Sequence, residues 1–151
     1  MSYHMEYGYS CMGYEIAGAI GVKMAEPDRD VICMIGDGSY MMANSELATA
    51  VMMDIKITLV LTDNRGFGCI NRLQMSTGGE QFNNLLDHAQ HVNPSRIDFA
   101  AHAASMGAET RKVATIAELE AALVEAREAP GPFVVVIDTD PYPSTEAGGS
   151  W

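Results

Sequence analysis

Apolar residues recur along the chain in two rhythms, a helical one and a short unbroken one. Ile16, Ile20 and Met24, four apart, predict a helix from Met12 to Ala25 with one buried face. Ala17, Gly18, Ala19 and Gly21 would admit a close neighbour there, and Pro27 ends the helix. Val31 to Ile35 is wholly apolar and stops at Gly36-Asp37-Gly38, the profile of a buried parallel strand. A second helix is predicted from Asn44 to Met53, with Leu47, Ala50, Val51 and Asp54 along one stripe. Ile57 to Thr62 reads as the next buried strand and ends at Asp63-Asn64.

Regularity fades from Arg65 to Pro94, a stretch long enough to be read as a functional loop or lid or as disordered, with a mobile surface loop the equal alternative beyond Gly79. It resumes near Asp98 with a short helix that Gly107 can close. Thr115 and Glu118 have the spacing of a capping box, ahead of a helical face carrying Ile116, Leu119, Leu123 and Ala126. Pro130-Gly131-Pro132 breaks that helix, and Phe133 to Ile137 is a last buried strand. The tail from Thr139 to Trp151 is rich in Gly, Ser and Pro, with no closing element. Buried strands alternating with amphipathic helices predict an α/β fold: a parallel β-sheet with helices on both faces, in three α/β/α layers.

In such a sheet ligands gather at the carboxyl ends of the strands, which singles out Gly36-Asp37-Gly38-Ser39 and Asp63-Asn64-Arg65-Gly66. Gly36 and Gly38 are expected to let the backbone turn tightly, and Gly38 and Ser39 to aim N–H groups at an anion. Asp37 supplies a carboxylate and Asn64 a neutral amide oxygen. With a loop carbonyl they would make half of the oxygen shell that Mg²⁺ prefers, leaving diphosphate oxygens to complete it. A bare Gly-Asp-Gly is an ordinary strand-to-helix turn; the Asp63-Asn64 pair after the next strand makes it a candidate site.

Composition narrows the classes of partner. The 151 residues suit a single domain. Nine Lys and Arg against 20 Asp and Glu leave a net charge of −11, which argues against nucleic acid and anionic membrane surfaces. Cys11, Cys33 and Cys69 are odd in number and form no CxxC pair, which predicts neither a disulfide framework nor a zinc site and fits a reducing cytoplasm. No apolar run approaches the roughly 18 residues of a membrane span. The first residues lack the basic-then-apolar profile of a signal peptide.

Other candidates carry less. His88 and His91 lie near Asp87 without a third ligand at a recognisable spacing and are read as surface residues. His102 is read as packed or half-exposed, and His4 as part of an unanchored terminus. Ser10 and Ser39 lack a nucleophile elbow, and no G-x-G-x-x-G follows Ile35. Arg65 and Arg72 are read either as contacts for an anionic substrate or as a solvated basic pair. Eleven Met residues are read as packing material.

The Gly36-Asp37-Gly38 and Asp63-Asn64 stretches together resemble the signature of the thiamine-diphosphate-dependent enzymes, in which a Gly-Asp-Gly precedes an Asn-Asn pair. Asp63 replaces the first Asn of that pair. The resemblance implies Mg²⁺ ligands at Asp37, at Asn64 and at the backbone carbonyl of Gly66. It implies that Met12 wedges beneath the bent cofactor, and that Cys11, Gly36, Gly38, Ser39, Gly68 and Cys69 lie along it. Three longer stretches, MEYGYSCMGYEIAGAIGVKMAEP, GDGSYMMANSELATAVMMDIKI and DNRGFGCINRLQMSTGG, resemble the 3D-(3,5/4)-trihydroxycyclohexane-1,2-dione hydrolase subfamily, relatives of acetolactate synthase.

By that resemblance the chain is the C-terminal cofactor-binding domain of a three-domain, homo-oligomeric enzyme of myo-inositol catabolism. The enzyme would cleave the C–C bond of a cyclic polyhydroxy diketone by hydrolysis, giving 5-deoxyglucuronate. The activating Glu would come from the pyrimidine-binding domain; Glu15 and Glu46 do not match its motif and are read as solvated or capping carboxylates. The alternatives are an acetolactate-synthase-like carboligase or decarboxylase domain, and a non-catalytic cofactor-binding subunit.

Overall fold

The computed structural model describes residues 2–5, 8–9, 11–93 and 96–143. Ser10, Pro94 and the last part of the tail, 144–151, lie outside these. Six helices and four strands follow one another as α1 (Tyr14–Ala25), β1 (Ile32–Gly36), α2 (Asp37–Ala43), α3 (Ser45–Met52), β2 (Thr58–Asp63), α4 (Gly68–Ser76), α5 (Phe99–Ser105), β3 (Glu109–Val113), α6 (Ile116–Glu128) and β4 (Phe133–Asp138), with a 3-10 turn at Leu86–His88. The strands form one parallel sheet in the order β1-β2-β4-β3.

Because successive strand residues point to opposite faces, the sheet builds two cores. On one face Cys33 and Ile35, Leu59 and Leu61, and Val134 and Val136 meet Ile16 and Ile20 of α1, Tyr40 of α2, Leu47 and Ala50 of α3, and Phe99 and Ala103 of α5. On the other face Val113, Phe133 and Val135 meet Ala122 and Ala126 of α6. The three-layer reading therefore holds, with β4 at its apolar centre.

Several sequence expectations change. β1 is not buried on both faces: Ile32 is 55% and Met34 69% exposed, because β1 is the sheet's edge and α6 sits over β2, β4 and β3. Met24, in the last turn of α1, and Ile116, in the first turn of α6, are also exposed. α1 buries Ile16, Ala19 and Ile20, and α6 buries Ala122 and Ala126. The turn expected at Gly36-Asp37-Gly38 is instead the start of α2, which leaves β1 with no intervening residue. Asp54 does not join the α3 stripe; it follows the helix with φ +54°.

The stretch from Arg65 contains α4, whose polar composition hid its period. β3, Glu-Thr-Arg-Lys-Val, was not expected as a strand, because an edge position lets most of its side chains be polar and exposed. Gly107 closes α5 at φ +99°, as the sequence suggested.

None of the three cysteines is in a disulfide, and burial, with Glu15 nearby, pushes the Cys33 thiol up to about 12, so it is a neutral core group. Among the described residues no helix is long and apolar enough to cross a membrane.

The capping box forms as predicted. Glu118 N donates to Thr115 Oγ1 at 3.2 Å, while Glu118 Oε2 accepts from the backbone N of Thr115 at 3.2 Å and of Ala114 at 2.7 Å. Thr115→Ala should therefore lower stability by about 1 kcal/mol, read as a lower urea midpoint at unchanged slope.

Candidate functional site

The register of β1 on β2, with Gly36 opposite Thr62, delivers Asp37 and Asn64 side by side at the carboxyl end of the sheet. Thr62 Oγ1 donates across to Ile35 O at 3.3 Å and ties the two strand ends together. Asp37 is buried in the first turn of α2. Its Oδ1 accepts from the backbone N of Asn64 at 3.3 Å, and its Oδ2 from the backbone N of Gly66 at 2.7 Å. One end of the Asn64 amide lies 3.2 Å from Asp37 Oδ1 and 3.1 Å from the Gly66 carbonyl oxygen. Carboxylate, amide and carbonyl thus converge on one small space.

Glycines make the approach possible by closeness rather than by tight turning. Gly36 is extended, at φ −78° and ψ 156°, a conformation open to any residue; a Cβ on it would point into open space. A Cβ on Gly38 would sit 2.5 Å from the Phe67 ring and 3.0 Å from the Gly66 oxygen, so a side chain there would push the two loops apart. Gly66 has φ +147°, and a Cβ on it would run into the backbone oxygen of Asn84.

That contact belongs to a strap. Gly66 bridges to Leu85, Phe67 N donates to Asn84 O at 2.7 Å, Leu86 N donates to Arg65 O at 2.9 Å, and Arg65 pairs with Asp87 at 2.7 Å.

Burial raises the Asp37 pKa above the ordinary aspartate value. The N–H groups of Asn64 and Gly66 work against the shift, and nearby Asp63 adds to it. The sign follows: the fold holds this proton more tightly than the unfolded chain does, so the contribution to stability is complete below the unfolded pKa and is lost as pH rises through the raised one. Among the described residues no group of three or more His, Cys, Asp and Glu converges, so a cation here would draw on amide and carbonyl oxygens beside the single carboxylate.

Of the residues singled out in the sequence, Gly36, Asp37, Gly38, Asn64 and Gly66 come together. Ser39 is buried one residue further along α2. Gly68 is the buried first residue of α4, lying against the Asn64 amide, and Cys69 beside it is exposed. Cys11 is exposed and Met12 half-buried; the adjoining Gly13 packs on Met42 and Ala43 at the far end of α2.

The His4 reading needs correction, and the structure adds detail on Arg65, Arg72 and Glu15. Arg65, half-exposed, pairs with Asp87, and Arg72 donates to Pro141 O at 2.7 Å. His4 is anchored by a 2.8 Å hydrogen bond to Tyr14. Glu15 does cap, accepting from Gly13 N at 2.9 Å.

Sequence reasoning missed Phe67, the Asn84–Leu85 strap, and Tyr40, whose fully buried ring reaches His102 Nδ1 at 3.0 Å. The Gly66-Phe67-Gly68 tripeptide was the available signal for Phe67. The strap joins residues too far apart for any local pattern. Gly66→Ala should break it: the melting temperature falls, and protease cleavage within 80–91 speeds up.

The site can be set beside known proteins. The family described as "Thiamine pyrophosphate enzyme, C-terminal TPP binding domain" matches residues 1–137. The chain is 47% identical to a 3D-(3,5/4)-trihydroxycyclohexane-1,2-dione hydrolase of Geobacillus thermodenitrificans and 45% identical to hydrolase 2 of that name from Bacillus cereus. Each match covers 99% of this chain and 24% of the relative, so the chain spans about a quarter of the length of these proteins. The thiamine diphosphate-dependent 4-hydroxybenzoylformate decarboxylase of Rhodococcus jostii superposes with a TM-score of 0.73 at 26% identity, over 89% of this chain and 24% of that one.

Proposed function

The chain belongs to the thiamine pyrophosphate enzymes, whose C-terminal TPP-binding domain it matches over residues 1–137, and on that premise we propose that Asp37, Asn64 and the Gly66 carbonyl hold Mg²⁺ against the diphosphate of thiamine diphosphate. The observation that carries this reading is the convergence of three oxygen-bearing groups from two strand ends, 3.1 and 3.2 Å apart, around one buried carboxylate. Mg²⁺ takes oxygen ligands in an octahedral shell and uses one or two carboxylates, which this set supplies while leaving positions for diphosphate oxygens. The open side of Gly36 gives those oxygens a path to the backbone. Ser39, Cys11, Met12, Gly68 and Cys69 are assigned to the cofactor's length on the resemblance alone.

Bound thiamine diphosphate would supply stabilisation of a carbanion at the former carbonyl carbon itself, the chemistry needed to break a C–C bond to that carbon. This chain's residues contribute anchoring: Asp37 fixes the second loop, Gly66 presents its carbonyl, and the Phe67 ring packs on Gly38 between the two loops. For the whole protein we propose hydrolytic ring opening of a cyclic polyhydroxy 1,2-diketone, as in the named relatives, at the bond between its two carbonyl carbons, giving 5-deoxyglucuronate in inositol catabolism. A pyrimidine-binding domain in a homo-oligomer would supply the activating acid. Identity of 44–47% to the dione hydrolases against 26% to the decarboxylase favours hydrolysis over decarboxylation or carboligation.

Thermal unfolding tests the anchoring. Mg²⁺ with thiamine diphosphate at 100 times Kd should stabilise the protein by about 2.7 kcal/mol. EDTA should abolish the gain, and Asp37→Ala should show none. An equal gain in Asp37→Ala, or one indifferent to EDTA, contradicts the assignment.

A further inference from the structure

The two ends of the Asn64 side chain meet opposite demands. The inner end lies 3.2 Å from Asp37 Oδ1 and 3.1 Å from the Gly66 oxygen, both of them acceptors, and the outer end faces only donors. In the absence of a cation, hydrogen bonding therefore turns the NH₂ inward and the oxygen outward, which satisfies both ends. A cation in the same space makes the reverse demand, because it needs the oxygen inward. An amide can meet both demands, since its two ends have nearly the same shape and exchange places by a half-turn about the Cβ–Cγ bond.

Gly68 leaves one side of the amide free of any side chain. The amide lies across Gly68, where an added Cβ would sit 2.9 Å from one end, 3.1 Å from the central carbon and 3.2 Å from the other end. Bare glycine thus clears the whole amide plane rather than favouring one end. The backbone is held independently, by the N–H groups of Asn64 and Gly66 on Asp37, and neither bond uses the Asn64 side chain. The loop can therefore keep its shape while the amide turns.

We infer that Asn64 is a positioning residue that keeps the cation site built when it is empty: its NH₂ occupies the bridge between Asp37 and the Gly66 carbonyl, and the amide turns over to offer oxygen when Mg²⁺ arrives. The inference rests on the proposed Mg²⁺–diphosphate reading and deepens it, since the site is then preformed rather than assembled by the metal. It also gives a reason for an amide at this position. A carboxylate could serve the loaded site but would set a second acid against Asp37 and the Gly66 carbonyl in the empty one.

Nuclear magnetic resonance of the ¹⁵N,¹³C-labelled protein tests this through the Asn64 side-chain NH₂. In EDTA that NH₂ should exchange with water far more slowly than the exposed amide of Asn93. Adding Mg²⁺ and thiamine diphosphate should shift its signals and remove its contacts to Gly66. Fast exchange in EDTA overturns the inference. So does an NH₂ unchanged by ligand when thermal shifts show that ligand binds, and that result leaves the proposed function standing. A protein whose stability and spectrum ignore Mg²⁺ and thiamine diphosphate overturns both. As a second measurement, Asn64→Asp should melt lower than wild type in EDTA and gain more than wild type from Mg²⁺ alone; an equal midpoint in EDTA contradicts the stand-in role.

Discussion

Asp37 is the constraint on which the rest of the site depends. One buried carboxylate at the end of β1 receives the backbone N–H groups of Asn64 and Gly66 from the loop after β2. Two strand ends that the sheet merely makes neighbours become a single rigid corner. The arrangement has an energetic cost, since burial raises the Asp37 pKa and the surrounding N–H groups only partly offset it. Such a cost is tolerable where the surrounding fold over-determines the position. Here the parallel register, the Thr62 cross-strand bond and the Leu85 bridge all fix the same few residues.

The corner is further defined by what is missing from it. Gly38 yields its side-chain space to Phe67, Gly68 yields its own to the Asn64 amide, and Gly36 leaves its side open. None of the three lies in the left-handed region, so conformational freedom does not explain them; close approach explains Gly38 and Gly68. Gly66 is the exception, at φ +147°, and it is also where the strap from Asn84 and Leu85 attaches. Chain geometry and site geometry therefore share residues, and single substitutions here should seldom affect one without the other.

The parts of the fold visible in the sequence were those in which local pattern and tertiary role agree. Leu59, Leu61, Val134 and Val136 lie in continuous apolar runs because β2 and β4 are central strands, and the Thr115–Glu118 box is wholly local. Where the two part company, pattern misled. β1 is as apolar as β2, yet Ile32 and Met34 face outward because no helix crosses the edge of the sheet there. β3 and α4 carry polar surfaces that muted their periods, and α2 was mistaken for a turn because its one glycine, Gly38, serves packing. Asp37, Asn64 and Gly66 were legible through spacing and resemblance, whereas the strap over Gly66 depends on contacts that only the folded chain reveals.

The central claim is that the ends of β1 and β2 act together as one cation and diphosphate corner. Mn²⁺ can replace Mg²⁺ in an oxygen-ligand site and broadens nearby nuclear resonances, so titrating it into the ¹⁵N-labelled protein with thiamine diphosphate reports the corner directly. The account predicts that the amide signals of Asp37, Gly38, Asn64 and Gly66 vanish together at low Mn²⁺ while those of α6 persist. Broadening confined to one of the two loops, or centred on the acidic surface of α6, would contradict it.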